Sequence, residues 1–298
     1  MNFDSVEKIV NAVLYEGYML YPYRPNSTKN QQRWNFGTLY PRVFAEAQRP
    51  PEAFRLVAEC LLTASDTATL NIRARCLQIQ PHTPSLDVEC SADLGDLTVA
   101  GLLIASQEYG LTFTCSTSLS AQLQISAQPA ETGAIKLRIE LANVTPVDGA
   151  PSREAVLPLS LTSAHLLLRV TGGEFISLLD PTPQYQQAVS ECHSVGVFPV
   201  MVGEPEKRDT MLCSSIILYD YPQVAPESSG DFFDATEMDE MLSLRVLTLT
   251  EEEKQQMREA DPRTRGILER TEALPAEHMM KLHGAIRGLR RVQAEDER

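Results

Sequence analysis

From about residue 53 to residue 145 apolar side chains recur at every second position, and this period constrains the fold more than any other feature of the chain. Leu70, Ile72, Ala74 and Cys76 alternate with polar neighbours, as do Leu111, Phe113 and Cys115. Leu119, Ala121, Leu123 and Ile125 do the same, followed by Ile135, Leu137, Ile139 and Leu141. Successive side chains of an extended backbone point to opposite faces, so each run describes a strand with one greasy and one wet face. Pro81-His82-Thr83-Pro84, Gln128-Pro129 and Glu131-Thr132-Gly133 punctuate the runs as turns. Short strands at this spacing predict an antiparallel, β-sandwich-like body over residues 51–160 and argue against a parallel sheet. At 298 residues the chain is long enough to bury a large core without metal or disulfide support.

The flanking regions follow other rules. Asp4-Ser5-Val6-Glu7 has the form of a helix start, and Val6, Ile9, Val10, Val13 and Leu14 continue at helical spacing. Tyr18, Tyr21, Tyr23 and Trp34 then crowd together with Arg24, Lys29 and Arg33, so residues 1–50 read as an N-terminal helix and an aromatic segment. Residues 161–233 form a mixed, β-rich region in which the sheet continues. Ala164 to Val170 is strongly apolar, Gly172-Gly173 reads as a turn, and Phe175 to Leu179 reads as a buried strand. Tyr185 to Cys192 suits two helical turns, and Val195 to Val202 and Leu212 to Tyr219 are β-prone around a charged turn. Residues 234–298 read as C-terminal helices. Asp234-x-x-Glu237 and Thr250-x-x-Glu253 are capping boxes, Pro262 suits a first helical position, and Met279, Leu282, Ile286 and Leu289 share a face. The fold class expected is therefore α+β.

Forty Asp and Glu against 26 Lys and Arg give a net charge of −14, which repels phosphate backbones and argues against nucleic acid as a partner. The longest run free of polar side chains, Val195 to Gly203, is too short for a membrane span, and the N-terminus lacks the pattern of an export signal. Six cysteines at gaps of 14 to 77 residues, without a C-x-x-C pair, suit buried thiols in a reduced cytoplasm. Phosphate-binding glycine loops and the H-E-x-x-H zinc motif are missing from the sequence, so no cofactor, no metal and no catalytic residue is expected. Cys192-His193 is the one adjacent thiol and imidazole, and it reads as a buried Cys beside a turn His.

Two stretches stand out as binding surfaces. The aromatic-basic segment offers Tyr21, Tyr23, Arg24, Arg33 and Trp34. The acidic one, eleven Asp and Glu against three basic residues over 226–261, offers Asp231, Asp234, Glu237 and Asp239, with Asp220 just before it. Solvated helix caps explain much of this acidity. Both ends of the chain are mildly basic around the acidic middle, so a homo-oligomer is electrostatically plausible.

Several strings resemble an uncharacterised bacterial protein family encoded beside high-affinity uptake nickel-iron hydrogenases. They run from Val13 to Arg24 (VLYEGYMLYPYR), from Arg33 to Gly37 (RWNFG), from Gly172 to Pro181 (GGEFISLLDP), from Ile216 to Pro222 (IILYDYP) and from Ala225 to Glu240 (APESSGDFFDATEMDE), with Leu282-His283-Gly284 beyond. The resemblance implies a non-enzymatic accessory role in hydrogenase assembly or stabilisation, through contact with a hydrogenase subunit or maturation factor. The chain departs from the family pattern at Cys213-Ser214-Ser215, where Ser-Ser-Pro is expected, and at Asp220-Tyr221-Pro222, where Asp-His-Pro is expected. A metal-handling maturation factor or hydrolase using the 220–240 carboxylates, and a homo-oligomeric scaffold, are the competing readings.

Overall fold

A computed structural model of the chain describes Phe3 and residues 6–15, 36–80, 88–113, 115, 118–149, 151–223, 246–259 and 262–273. Its centre is β1 (Arg55–Gln78), a strand of 24 residues. The first half of β1 pairs with β5 (Ile135–Asn143) and the second half with β2 (Val88–Thr98), along the same edge. Its other edge carries β6 (Thr162–Ile176) over most of its length. Beyond β5 lie β4 (Leu119–Pro129) and β3 (Gln107–Phe113), and beyond β6 lie β8 (Thr210–Ser214) and β7 (Phe198–Met201). All of these pairings are antiparallel, and the eight strands among the described residues form one sheet. The segments 51–160 and 161–233 are thus joined by the β1–β6 ladder.

The period of two does its expected work. Leu56, Ala58, Cys60, Leu62, Leu70, Ile72, Ala74 and Cys76 turn one face of β1 into a single large apolar cluster, to which every other strand adds side chains. A cluster fed by all eight strands requires the sheet to curl around it, which the normal right-handed twist permits. The helix α1 (Glu7–Tyr15) lies on the opposite face. There Val6, Val10 and Val13 meet Leu167, Val200 and Leu212. Two smaller patches lie apart from these: Tyr40 and Phe44 around α2 (Arg42–Ala47), and Leu61, Ile176 and Ala188 beside α4 (Gln186–Ser190). The helix α3 (Val99–Ile104) joins β2 to β3 and buries Val99 and Leu102 in the main cluster.

Gly172-Gly173 is not a turn. The pair lies inside β6, opposite a register shift in which β1 runs from Ala64 to Thr69 while β6 runs only from Gly173 to Thr171. Gly172 has φ +76°, and a Cβ at Gly173 would stand 2.4 Å from the Thr63 carbonyl oxygen, so the bulge needs glycine at both places. The bulge changes the parity of β6: Val170 and Phe175 both reach the main cluster although five positions separate them. The strand expected over Phe175 to Leu179 ends at Ile176, and Leu179 is exposed. The stretch expected over Leu212 to Tyr219 leaves the ladder after Ser214.

A second correction concerns the cysteines. Cys90 and Cys115 form a disulfide, with Cα atoms 5.9 Å apart, and only Cys60, Cys76, Cys192 and Cys213 remain thiols. Spacing along the chain carried no sign of this pair, because curling of the sheet brings β2 to the end of β3.

Among the described C-terminal residues, the helices Glu251–Glu259 and Pro262–Glu272 share a small cluster of Val246, Met257 and Leu268. The capping box at Thr250 is formed: the Thr250 N–H donates to Glu253 at 2.9 Å, and the Glu253 N–H donates back to the Thr250 hydroxyl at 3.3 Å. The box at Asp234 and the face from Met279 to Leu289 lie outside the described residues. Among the described residues no helix is long and apolar enough to cross a membrane.

Candidate functional site

The start of β6 gathers two segments that are remote from it in sequence, the helix α1 and the stretch from Phe36. Ser163, the second residue of β6, has φ +52°. Its N–H donates to the Phe36 carbonyl at 3.1 Å, and its hydroxyl donates to the Val13 carbonyl at 3.3 Å. Val13 of α1 and Phe36 are thus bonded to the same residue. Gly37 follows with φ +58°, and a Cβ there would stand 2.6 Å from the Ser215 hydroxyl, so the end of the Arg33–Gly37 string lies against the residue that follows β8.

From Ser215 the chain runs on as an anchored strip. Ile216 and Leu218 turn toward the α1 cluster, whereas Ile217 is 77% and Tyr219 is 87% exposed. Asp220 ends the strip: its carboxylate accepts the Ser177 hydroxyl at 2.5 Å and the Met201 N–H at 2.8 Å. The Ser177 oxygen also accepts from the N–H groups of Leu179 and Asp180, which ties the Gly172–Pro181 string to the same point. The Tyr221 N–H donates to the Met201 carbonyl at 2.7 Å. With Pro199 lacking a donor, the outer edge of β7 is closed to further strand pairing. The Tyr221 phenol donates to the Pro205 carbonyl, and burial raises its pKa.

Of the site residues expected from the sequence, Asp220 is placed by the structure, and its bonds make it an anchor for this strip. Tyr21, Tyr23, Arg24, Arg33, Trp34, Asp231, Asp234, Glu237 and Asp239 lie outside the described residues. Ile217 and Tyr219 are not among the residues expected from the sequence, and the signal for them is the alternation of Ile216 to Tyr219 with an acid at its end.

Elsewhere on the outer face, ionisable groups are tied into the fold. Glu59 on β1 is nearly buried and receives Lys136 at 2.7 Å, Arg138 at 2.9 Å and the His193 N–H at 2.8 Å. Burial alone would raise its pKa, but these three donors outweigh burial and hold the carboxyl below its ordinary value. His193 is thus used through its backbone. The neighbouring Cys192 thiol donates to the Ala188 carbonyl, and burial pushes its pKa up to about 11, so it is protonated at neutral pH.

Under α1, Arg75 is buried and donates to Glu7, Asn11 and Glu89. His165 lies across the ladder from it. The His165 Nδ1 stands 2.9 Å from the Ser163 carbonyl, an acceptor only, so Nδ1 carries the proton and Nε2 is buried without a partner. Burial brings the imidazole pKa down to about 4; the Ser163 bond opposes this and the Arg75 charge adds to it. Among the described residues no group of three or more His, Cys, Asp or Glu is placed to hold a metal ion. A search against protein-family models finds no match to this chain, and a search of curated proteins finds no significant similarity.

Proposed function

We propose that this chain is a non-enzymatic accessory protein of the cytoplasm, which docks on a protein partner through the strip ending at Asp220. The partner class that the sequence resemblance implies is a nickel-iron hydrogenase subunit or maturation factor. In this reading the curled sheet is a sandwich-like body whose task is to hold the strip still. The observation that carries the reading is the outward display of Ile217 and Tyr219 on a segment held by the packing of Ile216 and Leu218 under α1 and by the bonds of Asp220. A large aromatic held rigid in water gives a partner contact area at little entropic cost, which is the usual character of a binding hot spot. Asp220, the one expected site carboxylate that is described, serves the partner indirectly by fixing the strip.

The test is recovery of the tagged full-length chain from its native host with quantification of what accompanies it. A hydrogenase subunit or maturation factor should be enriched, and Tyr219→Ala together with Ile217→Asp should reduce that enrichment at least about tenfold. Both side chains are exposed, so the unfolding midpoint of the variant should stay unchanged. Absence of any enriched partner, or equal enrichment by the variant, would remove the proposal. Recovery of further copies of the same chain alone would support the scaffold reading in its place.

A further inference from the structure

The Cys90–Cys115 disulfide sits at a seam that the backbone leaves open. Among the described residues β2 is hydrogen-bonded to β1 and β3 to β4, while β2 and β3 face each other without a ladder. Their meeting is secured by α3, by apolar contact through Leu97, Leu111 and Phe113, and by the disulfide. The two sulfur-bearing residues differ in access: Cys90 is 1% exposed, whereas Cys115 stands two residues beyond β3 and is only partly buried. A third cysteine, Cys76, lies directly across the β1–β2 ladder from Cys90. It is fully buried in the main cluster, and a thiol in that setting is not a nucleophile.

We infer that Cys90–Cys115 is a redox site, a clasp on the β2–β3 seam that an external dithiol opens from the Cys115 side while Cys76 stays silent. One thiolate of the dithiol attacks the Cys115 Sγ, the bond to Cys90 breaks, and Cys90 leaves as a thiolate that takes up a proton. The second thiol of the reagent then attacks the mixed disulfide and releases Cys115, so the dithiol becomes a cyclic disulfide and both cysteines are reduced. The folded chain thus has two states, with the seam clasped in oxidising surroundings and held only by α3 and side-chain contact in reducing ones.

The experiment uses the full chain, first oxidised and then treated with dithiothreitol under native conditions, with peptide mapping of the cysteines and amide hydrogen exchange. Reduction should speed exchange in 88–98 and 107–113 at least about tenfold and leave 162–176 and 210–214 within about twofold. Cys115→Ser should reproduce the reduced pattern without reagent, and Cys76→Ala should behave as the parent chain does. Free Cys90 and Cys115 in the oxidised protein, reduction only after global unfolding, or exchange unchanged by reduction would each overturn the inference. A Cys76–Cys115 or Cys76–Cys90 bond in the mapped peptides would overturn the silence of Cys76.

Discussion

The two faces of β1 solve opposite problems. Its inner face, over Leu56 to Leu62 and again over Ala68 to Cys76, is apolar and joins a cluster to which all the strands contribute, so its stabilisation is non-directional and spread over many contacts. The outer face carries Glu59, Arg73 and Arg75, each held by a few directed bonds to a particular neighbour. Glu59 fixes β5 and the 193–194 turn, and Arg75 fixes α1. The contrast teaches that burial of apolar area closes the sheet, whereas paired charges decide which segment lies where on its back. Charges suit that task because a misplaced cover would leave Glu59 or Arg75 desolvated without a partner, which costs several kcal/mol.

The contrast can be broken in four ways, ordered by expected effect. Phe113→Ala, on the inner face, should lose about 3–5 kcal/mol of unfolding free energy in urea titration, since a void replaces a fully buried ring. A loss below about 1 kcal/mol would show that the cluster is loosely filled. Glu59→Gln should cost about 3 kcal/mol, because Lys136 is left nearly buried beside a neutral amide. Its readout beyond stability is faster amide exchange at 193–195.

Acidification probes His165. The unfolded chain takes up a proton near the ordinary histidine value, while the folded chain refuses it until about pH 4, so stability falls as pH drops through that interval. Between pH 7.5 and pH 5 the loss should be about 2 kcal/mol, and His165→Gln should flatten the slope. The Glu59 carboxyl, whose folded pKa is depressed, adds a further loss only below its ordinary value, as its protonation releases Lys136 and Arg138. Smallest of all, Arg55→Ala at the exposed rim of the same ladder should change stability by no more than about 0.5 kcal/mol, despite a 2.9 Å contact to Glu140. An Arg55 effect as large as that of Phe113 would abolish the distinction between the faces.

Much of the body was legible in the chain because half-buried strands print their faces directly onto the sequence. The runs at Leu70, Leu119 and Ile135 became β1, β4 and β5 with the expected side chains inside. The helical spacing from Val6 to Leu14 became α1, and Thr250-x-x-Glu253 became a formed cap. Gly172-Gly173 reads locally as a turn because two glycines permit a positive φ equally in a turn and in a bulge. Only the partner strand, through Thr63 and Ala64, distinguishes them. The candidate site was less legible. Asp220 stood out as an acid in a family-like string, but its partners Ser177 and Met201 are remote in sequence, and nothing local predicts their approach.

The sequence by itself determined the alternating runs that became β1, β4 and β5 and the face of each that is apolar, since alternation is a local property of neighbouring side chains. Tertiary structure alone decided the Cys90–Cys115 pairing, the burial of His165 and Arg75 beneath α1, the approach of Gly37 to Ser215, and the bonds of Asp220 to Ser177 and Met201. The physical reason is that these contacts join segments brought together by the curl of one sheet around its core, and curl is a sum over every strand that no single stretch of chain encodes.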